Sequence, residues 1–499
     1  MVKQLRVSIP KQGLFLATLC LLSLVLATGC KRQESLRDIF KDAQQEEMAS
    51  NWEAAVADYT RVIKLDPEAS GVVYADRAES EFQMGHYDDA TNDFSRAIEL
   101  NPKDDWSYRG RGFAETEKGD FNDAMADYLH AVRLNRTNAF GFYGLGLVDY
   151  NLSNFDEAIL NFTHAISLNG NRPGVYYFRG RCKYKTGDFD GAISDYDHDL
   201  EIDPNDPLAY GNRGFAKYKR GDWDGAITDQ TMAIQLDPKD SAAYVNRGLA
   251  KSKKGDKGGA IADYNKAIEL NPKDNVAYAN RAWAKYKTAD LDGAITDYTK
   301  AIELNPKDNS AYVNRSLVKL KKGDLDGAIA DCDSAINLNP KDGFAYEGRG
   351  AARLREANFN AAIDDFNKAI ALNPTNAISY NDLGWAEFRQ GDFDSSIADA
   401  TRAIQLNPKD GHAYGTRGWA RYGKGNISDA VEDCKKAIQL LQPESTGDLF
   451  DQGMLDFIAG DYQKAIADWQ KAVQQDATIK TELQPWIDKA QAKLPEKKP

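Results

Sequence analysis

Asp-Pro or Asn-Pro returns every 34 residues through the middle of this 499-residue chain, at Pro204, Pro238, Pro272, Pro306, Pro340, Pro374 and Pro408. Pro67 and Pro102 belong to the same column, and Arg136 and Gly170 fill it where proline is absent. A fixed period of this length means stacked copies of one supersecondary unit, each burying its apolar face against its neighbours. A chain this long would otherwise suggest about three ordinary domains. The period makes it one array.

Two helices per unit follow from local chemistry, as in Asn275–Asp290 followed by Leu291–Pro306. Asp or Asn after each proline is a good N-cap for the first helix. Gly119, Gly187, Gly221, Gly255, Gly323 and Gly391, each followed by Asp, mark its end, because glycine takes the left-handed cap conformation. The second helix stops before the next proline, which disfavours helical geometry in the residue preceding it. Only Ala or Ser occupies the column from Ala90 to Ala362, so two helices can approach closely there. Tyr210, Tyr244, Tyr278, Tyr312, Tyr346, Tyr380 and Tyr414 form a bulky column on the first helix.

These columns resemble the tetratricopeptide repeat, and the resemblance covers nearly all of the chain beyond its N-terminal stretch. It implies an all-α fold: a right-handed superhelical solenoid of about 13 helix pairs over residues 34–477, with first helices lining a concave groove. Residues 478–499 are read as a cap helix over Pro485–Leu494 and a frayed tail. One column departs from the family pattern. Arg77, Arg111, Arg179, Arg213, Arg247, Arg281, Arg315, Arg349 and Arg417 stand where Leu is usual, and Asp recurs sixteen residues after each. A ladder of Arg–Asp pairs between neighbouring helices accounts for both. Leu145 with Asn161 obeys this pairing, whereas Leu383 with Asp399 does not.

Residues 1–29 read as an export signal. Lys3, Arg6 and Lys11 precede an uncharged stretch from Gly13 to Gly29, the order of a positive and then an apolar region. Leu26-Ala27-Thr28-Gly29-Cys30 resembles a bacterial lipobox. That resemblance implies lipidation of Cys30, cleavage before it, residues 30–33 as a short linker and anchoring in the cell envelope. Lys31 rather than Asp after the cysteine points to the outer membrane facing the periplasm. Cleavage would move the formal charge of −13 three units further negative.

That acidic balance argues against nucleic acid as a partner, since phosphate neutralisation needs surplus Lys and Arg. No phosphate loop, zinc-protease motif, Cys-x-x-Cys or nucleophile elbow is present. The chain is therefore read as non-enzymatic, without cofactor, metal or small-molecule substrate. His130, His164 and His198 share a column in successive units, but helices pack about 8–10 Å apart and one metal with bonds of about 2 Å cannot bridge them easily. Cys182, Cys332 and Cys434 are too far apart in the array to pair and are expected as isolated core thiols.

The groove carries the clearest functional pattern. Asn212, Asn246, Asn280 and Asn314 repeat on four first helices; Phe215, Leu249, Trp283 and Leu317 lie three residues on, and Lys219, Lys253, Lys287 and Lys321 seven on. These spacings share one helix face. Lys185, Arg355 and Arg389 lengthen the cation column. Asn can donate to and accept from a peptide group, and the row resembles the peptide-holding groove of the O-GlcNAc transferase repeat domain, whose catalytic part is absent here. A two-carboxylate clamp is not supported, because Phe215, Leu249 or Trp283 stands where its second Asn belongs.

The expected function is a membrane-anchored scaffold that binds extended acidic or neutral protein segments in this groove. An assembly or pilot factor for an envelope machine, and a non-catalytic accessory subunit of an enzyme, are the rival readings.

Overall fold

The computed structural model describes residues 30–169 and 174–494. The expected signal segment, Gly170 and the tail 496–499 lie outside the described residues, and Cys30 is described by its backbone alone. Among the described residues, 27 α-helices and one 3-10 turn follow one another without a strand. Thirteen successive helix pairs run from α1 (Cys30–Met48) and α2 (Trp52–Leu65) to α25 (Thr446–Ala459) and α26 (Tyr462–Gln475), followed by α27 (Lys480–Gln491). No described helix is long and apolar enough to cross a membrane.

Two expected boundaries shift. Residues 30–33 open α1 instead of forming a linker, consistent with a stretch free of Pro and Gly. The cap helix begins at Lys480, five residues before Pro485, which sits inside it. Pro485 is exposed, and the helix is held by its buried face of Leu483, Ile487 and Ala490, the i, i+4, i+7 spacing of one stripe.

Local chemistry sets each pair. In α15 (Asn275–Lys287), Asp274 Oδ1 accepts from the N–H groups of Val276 and Ala277 at 2.9 and 3.1 Å. Asp290 repeats this for α16 (Leu291–Leu304), accepting from Gly293 N–H at 2.9 Å. The six glycines expected to end first helices all have φ between 87° and 93°. Ser50, Ser153, Ala289 and Ala357 take the same turn at φ 60–65°, without glycine's freedom from a Cβ clash. The small-residue column is buried throughout, from Ala90 to Ser396 and Ala465.

The chain divides after Ala250 into two compact bodies. The core of the first is aromatic, with Phe113, Tyr128, Tyr143, Phe162, Phe178 and Tyr196. Gly144 is required there, because a Cβ would collide with the Tyr128 ring. In the second body the richest cluster gathers Trp419, Met454, Phe457, Trp469 and Leu483 at its C-terminal end.

The Arg–Asp ladder is present in both bodies. Arg77, Arg111, Arg179 and Arg213 in the first, and Arg281, Arg315, Arg349 and Arg417 in the second, each donate from Nε and Nη2 to the Asp sixteen residues on. A bidentate fork is the strong form of this pair. Two further contacts were not evident from spacing. The spare Nη1 reaches sixteen residues back, for example to Ser95, Thr163, Thr299 and Thr401, and seventeen back from Arg77 to Thr60, on the preceding second helix. A Lys or Arg four residues on, such as Lys217, Lys285, Lys319 or Arg421, also meets the Asp at 2.7–2.8 Å.

Candidate functional site

The residues expected to line a groove lie on first helices of both bodies. Asn212, Phe215 and Lys219 lie on α11 (Pro207–Arg220), and Asn246 and Lys253 on α13 (Ser241–Lys253). Asn280, Trp283 and Lys287 lie on α15, and Asn314 and Lys321 on α17 (Asn309–Lys322). All four asparagines, Phe215 and Trp283 are half-buried, and all four lysines are exposed.

Lys219, Lys287 and Lys321 lie over aromatic rings. Lys219 Nζ lies 5.4 Å from the Phe215 centroid. Lys287 Nζ is 4.6 Å from Trp283 and 5.4 Å from Tyr286, and Lys321 Nζ approaches the same tyrosine at 5.6 Å. These are cation–π distances. Among the described residues, none of the four lysines forms an ion pair with a carboxylate. The face therefore offers cations over rings, open to an anion.

Two of the asparagines are more committed than their spacing implied. Asn212 Nδ2 donates to Leu208 O at 2.9 Å and Tyr177 Oη at 3.0 Å, and Asn280 Nδ2 donates to Val276 O at 2.9 Å. Asn212 thus spends both amide N–H groups within the scaffold and Asn280 one of its two, and their carbonyl oxygens stay available to a ligand.

Toward the C-terminus the same columns are occupied. Arg355 Nη1 donates to Leu320 O at 3.0 Å. Arg389, on α21 (Ala377–Gln390), pairs with Glu482 of α27 at 3.6 Å. Trp419, on α23 (Gly411–Gly423), stands in the column of Phe215 and Trp283. It receives Trp486 of α27 edge-on at 4.9 Å. The asparagine column continues as Asp382 and Asp451. Asp451 Oδ1 accepts from Trp419 Nε1 at 3.0 Å, and burial pushes both carboxyls up to about 7.

The remaining candidates resolve into structural roles. His130, His164 and His198 each stack on an aromatic ring of their own unit, Tyr108, Phe142 and Tyr176, at 4.3–5.2 Å. Cys182, Cys332 and Cys434 are free and buried, and burial pushes the Cys332 thiol up to about 11. Among the described residues, Glu81, His86 and Asp89 bring potential ligand atoms within 4.8 Å. His86 Nδ1 is already hydrogen-bonded to Glu81 Oε2 at 2.7 Å.

Two family profiles, each described as tetratricopeptide repeat, match the chain: one over residues 241–274, the other over 75–139, 143–207, 280–343, 347–411 and 381–448. Together they span well over half of it. The chain belongs to the tetratricopeptide repeat family. Tetratricopeptide repeats support protein–protein interaction scaffolds, and this chain is read accordingly. Among solved structures it is similar to the Cut9–Hcn1 hetero-tetramer of the APC/C, at 15% identity over 88% of this chain and 99% of that one, TM-score 0.47. It is also similar to a tetratricopeptide repeat protein from Parabacteroides merdae, at 20% identity over 51% and 98%, TM-score 0.43. A third is YrrB, described as a tetratricopeptide repeat protein with an unusual peptide-binding site, at 24% identity over 37% and 95%, TM-score 0.35. No curated protein sequence matches the chain.

Proposed function

We propose that this tetratricopeptide repeat protein is an envelope scaffold that docks acidic protein segments on the exposed face of its first helices. The observation that carries this reading is the pair of unneutralised cations, Lys287 and Lys321, held over Trp283 and Tyr286. Rings supply apolar contact area, and the lysines supply attraction that salt weakens. The half-buried asparagine oxygens add acceptors for a partner's N–H groups. A lipid on Cys30 would hold the scaffold at the outer membrane, facing the periplasm, since two or more acyl chains make anchoring stable.

Affinity capture from envelope extracts tests the docking face. Lys287→Ala with Lys321→Ala should lower partner recovery and flatten its salt dependence, and Asn246→Ala with Asn280→Ala should lower recovery further. Unchanged recovery in both variants removes the reading. For the anchor, Cys30→Ala should move the protein from the detergent phase to the aqueous phase.

A further inference from the structure

Helix α27 is already seated on part of the first-helix face, and it shows what that face accepts. Its Glu482, Trp486 and Lys489 lie at i, i+4 and i+7, one stripe of a helix. Glu482 faces Arg389 at 3.6 Å. Trp486 meets Trp419 at 4.9 Å and Tyr422 at 6.0 Å, both edge-on. Lys489 lies 6.0 Å from the Tyr422 centroid. The socket is thus a cation and two rings from successive first helices, closed by Phe457 of the next first helix, 5.9 Å from Trp486 and 5.7 Å from Lys489 Nζ, and by Trp469 at 6.5 Å.

The same three columns recur four units earlier in the same body, as Lys253, Trp283 and Tyr286. In the first body they recur as Lys185, Phe215 and Tyr218, whose two rings stack at 6.0 Å. Two positions differ. Phe457, which closes the filled socket, is replaced by Leu320 and Ser252. Gly423 of the filled socket is replaced by Lys287 and Lys219 in the two other sockets, and each lies over its aromatic ring.

We infer that these two sockets bind a helical segment of a partner protein bearing an acid at i, an aromatic at i+4 and a second acid at i+7. The first two match Glu482 and Trp486. The third replaces Lys489, because Lys287 or Lys219 would repel a cation there and pair with a carboxylate. This charge reversal discriminates against α27 of another copy. The inference rests on the first-helix face being the docking surface and adds the form and charge pattern of what docks.

The test uses the full chain and three alanine-rich helical peptides followed by fluorescence anisotropy. One carries Glu, Trp and Glu at i, i+4 and i+7; the second has Lys at i+7. The third keeps the first composition with Glu and Trp two apart, the spacing suited to an extended strand. The first should bind at least about tenfold tighter than either control. Lys185→Ala with Lys253→Ala should abolish that binding, while Lys219→Glu with Lys287→Glu should transfer preference to the Lys peptide. Equal binding of the strand-spaced peptide overturns the helical form, and equal binding of the Lys peptide overturns the charge pattern. Loss of binding in Arg389→Ala but not in the Lys185/Lys253 variant means that the peptide displaces α27, which also overturns the inference. If no peptide binds while extract capture still depends on Lys287 and Lys321, the helical code falls and the scaffold stands. Loss of both removes the scaffold.

Discussion

Arg281 grips Asp297 with two parallel hydrogen bonds, Nε to Oδ2 at 2.8 Å and Nη2 to Oδ1 at 2.6 Å, and spends Nη1 on Asn265 at 2.8 Å. One guanidinium therefore ties a first helix to its own second helix and to the one before. Its plane also lies against Tyr278, at 5.3 Å. An all-helical stack makes contacts only between near neighbours, so a side chain spanning three helices fixes register as well as contributing affinity between them.

Arg281→Ala leaves the Asp297 carboxylate, 4% exposed, with Lys285 as its remaining cation. Breaking a buried pair by removing one partner costs roughly 3–5 kcal/mol, and the surviving lysine brings the expected loss to the lower end of that range. Hydrogen exchange should report faster amide exchange in α15 and α16, with repeats in the other body unchanged. Because repeat arrays unfold non-cooperatively when long, the local measurement is the decisive one.

Ala289 and Ala357 occupy the left-handed turn between first and second helix at φ 63° and 60°. The equivalent Gly255 and Gly323 have nothing within 4 Å of the place a Cβ would occupy, so the turn has room and the cost at alanine is backbone strain. Left-handed geometry costs an L-residue roughly 1–2 kcal/mol. Ala289→Gly and Ala357→Gly should each raise the local stability of the two helices they join, read by hydrogen exchange, by about 1 kcal/mol after glycine's larger unfolded entropy is deducted. Gly255→Ala should lower it by a similar amount.

The period, the helix pairs, the small column and the Arg–Asp ladder were legible because each is local or repeats at a constant offset. Glu482 against Arg389 was not, since the two lie in different parts of the array and α27 occurs once. The asparagine row was legible as positions but not as chemistry: capture of Asn280 Nδ2 by Val276 O depends on a rotamer that spacing does not specify. The exception at Leu383 becomes intelligible only with Glu387, four residues on. Where the unit of Leu145 joins Asp149 to Asn161 by a 2.8 Å hydrogen bond, this unit sets the Glu387 carboxyl against Asp399.

That carboxyl pair gives a pH dependence. Burial, then the facing Asp399, raises the Glu387 carboxyl to about 8, against 4.5 ordinarily. The folded state thus holds a proton that the unfolded chain has released. A raised acid contributes stability fully below the unfolded value and loses it as pH climbs toward the folded one. Local stability of α21 and α22 (Phe393–Leu406) should fall between about pH 4.5 and 8. Glu387→Gln, which offers Asp399 a permanent donor, should remove most of that slope and stabilise the pair at pH 8, by on the order of 1 kcal/mol given partial solvent screening. At pH 4.5 the variant should match the parent. Hydrogen exchange at the two pH values, corrected for intrinsic rates, makes the comparison.

Trp486 adds to the hold of the buried stripe that keeps α27 on the face it covers. Its ring contacts Trp419 at 4.9 Å, Phe457 at 5.9 Å, Tyr422 at 6.0 Å and Trp469 at 6.5 Å, while Leu483, Ile487 and Ala490 anchor the opposite stripe. Truncating a large core aromatic costs roughly 3–5 kcal/mol; Trp486 is only half-buried, so the smaller figure is the better guide. Trp486→Ala should leave the buried stripe to hold the helix more weakly, and amides of α27 should exchange faster while those of α15 do not. The indole of Trp419 would then meet water, so its fluorescence should shift to longer wavelength. Glu482→Gln should have a smaller effect of the same sign, because its 3.6 Å contact with Arg389 contributes charge but little area. If Trp486→Ala changes neither exchange nor emission, the helix is held by its apolar stripe alone and the aromatic socket contributes nothing to seating it.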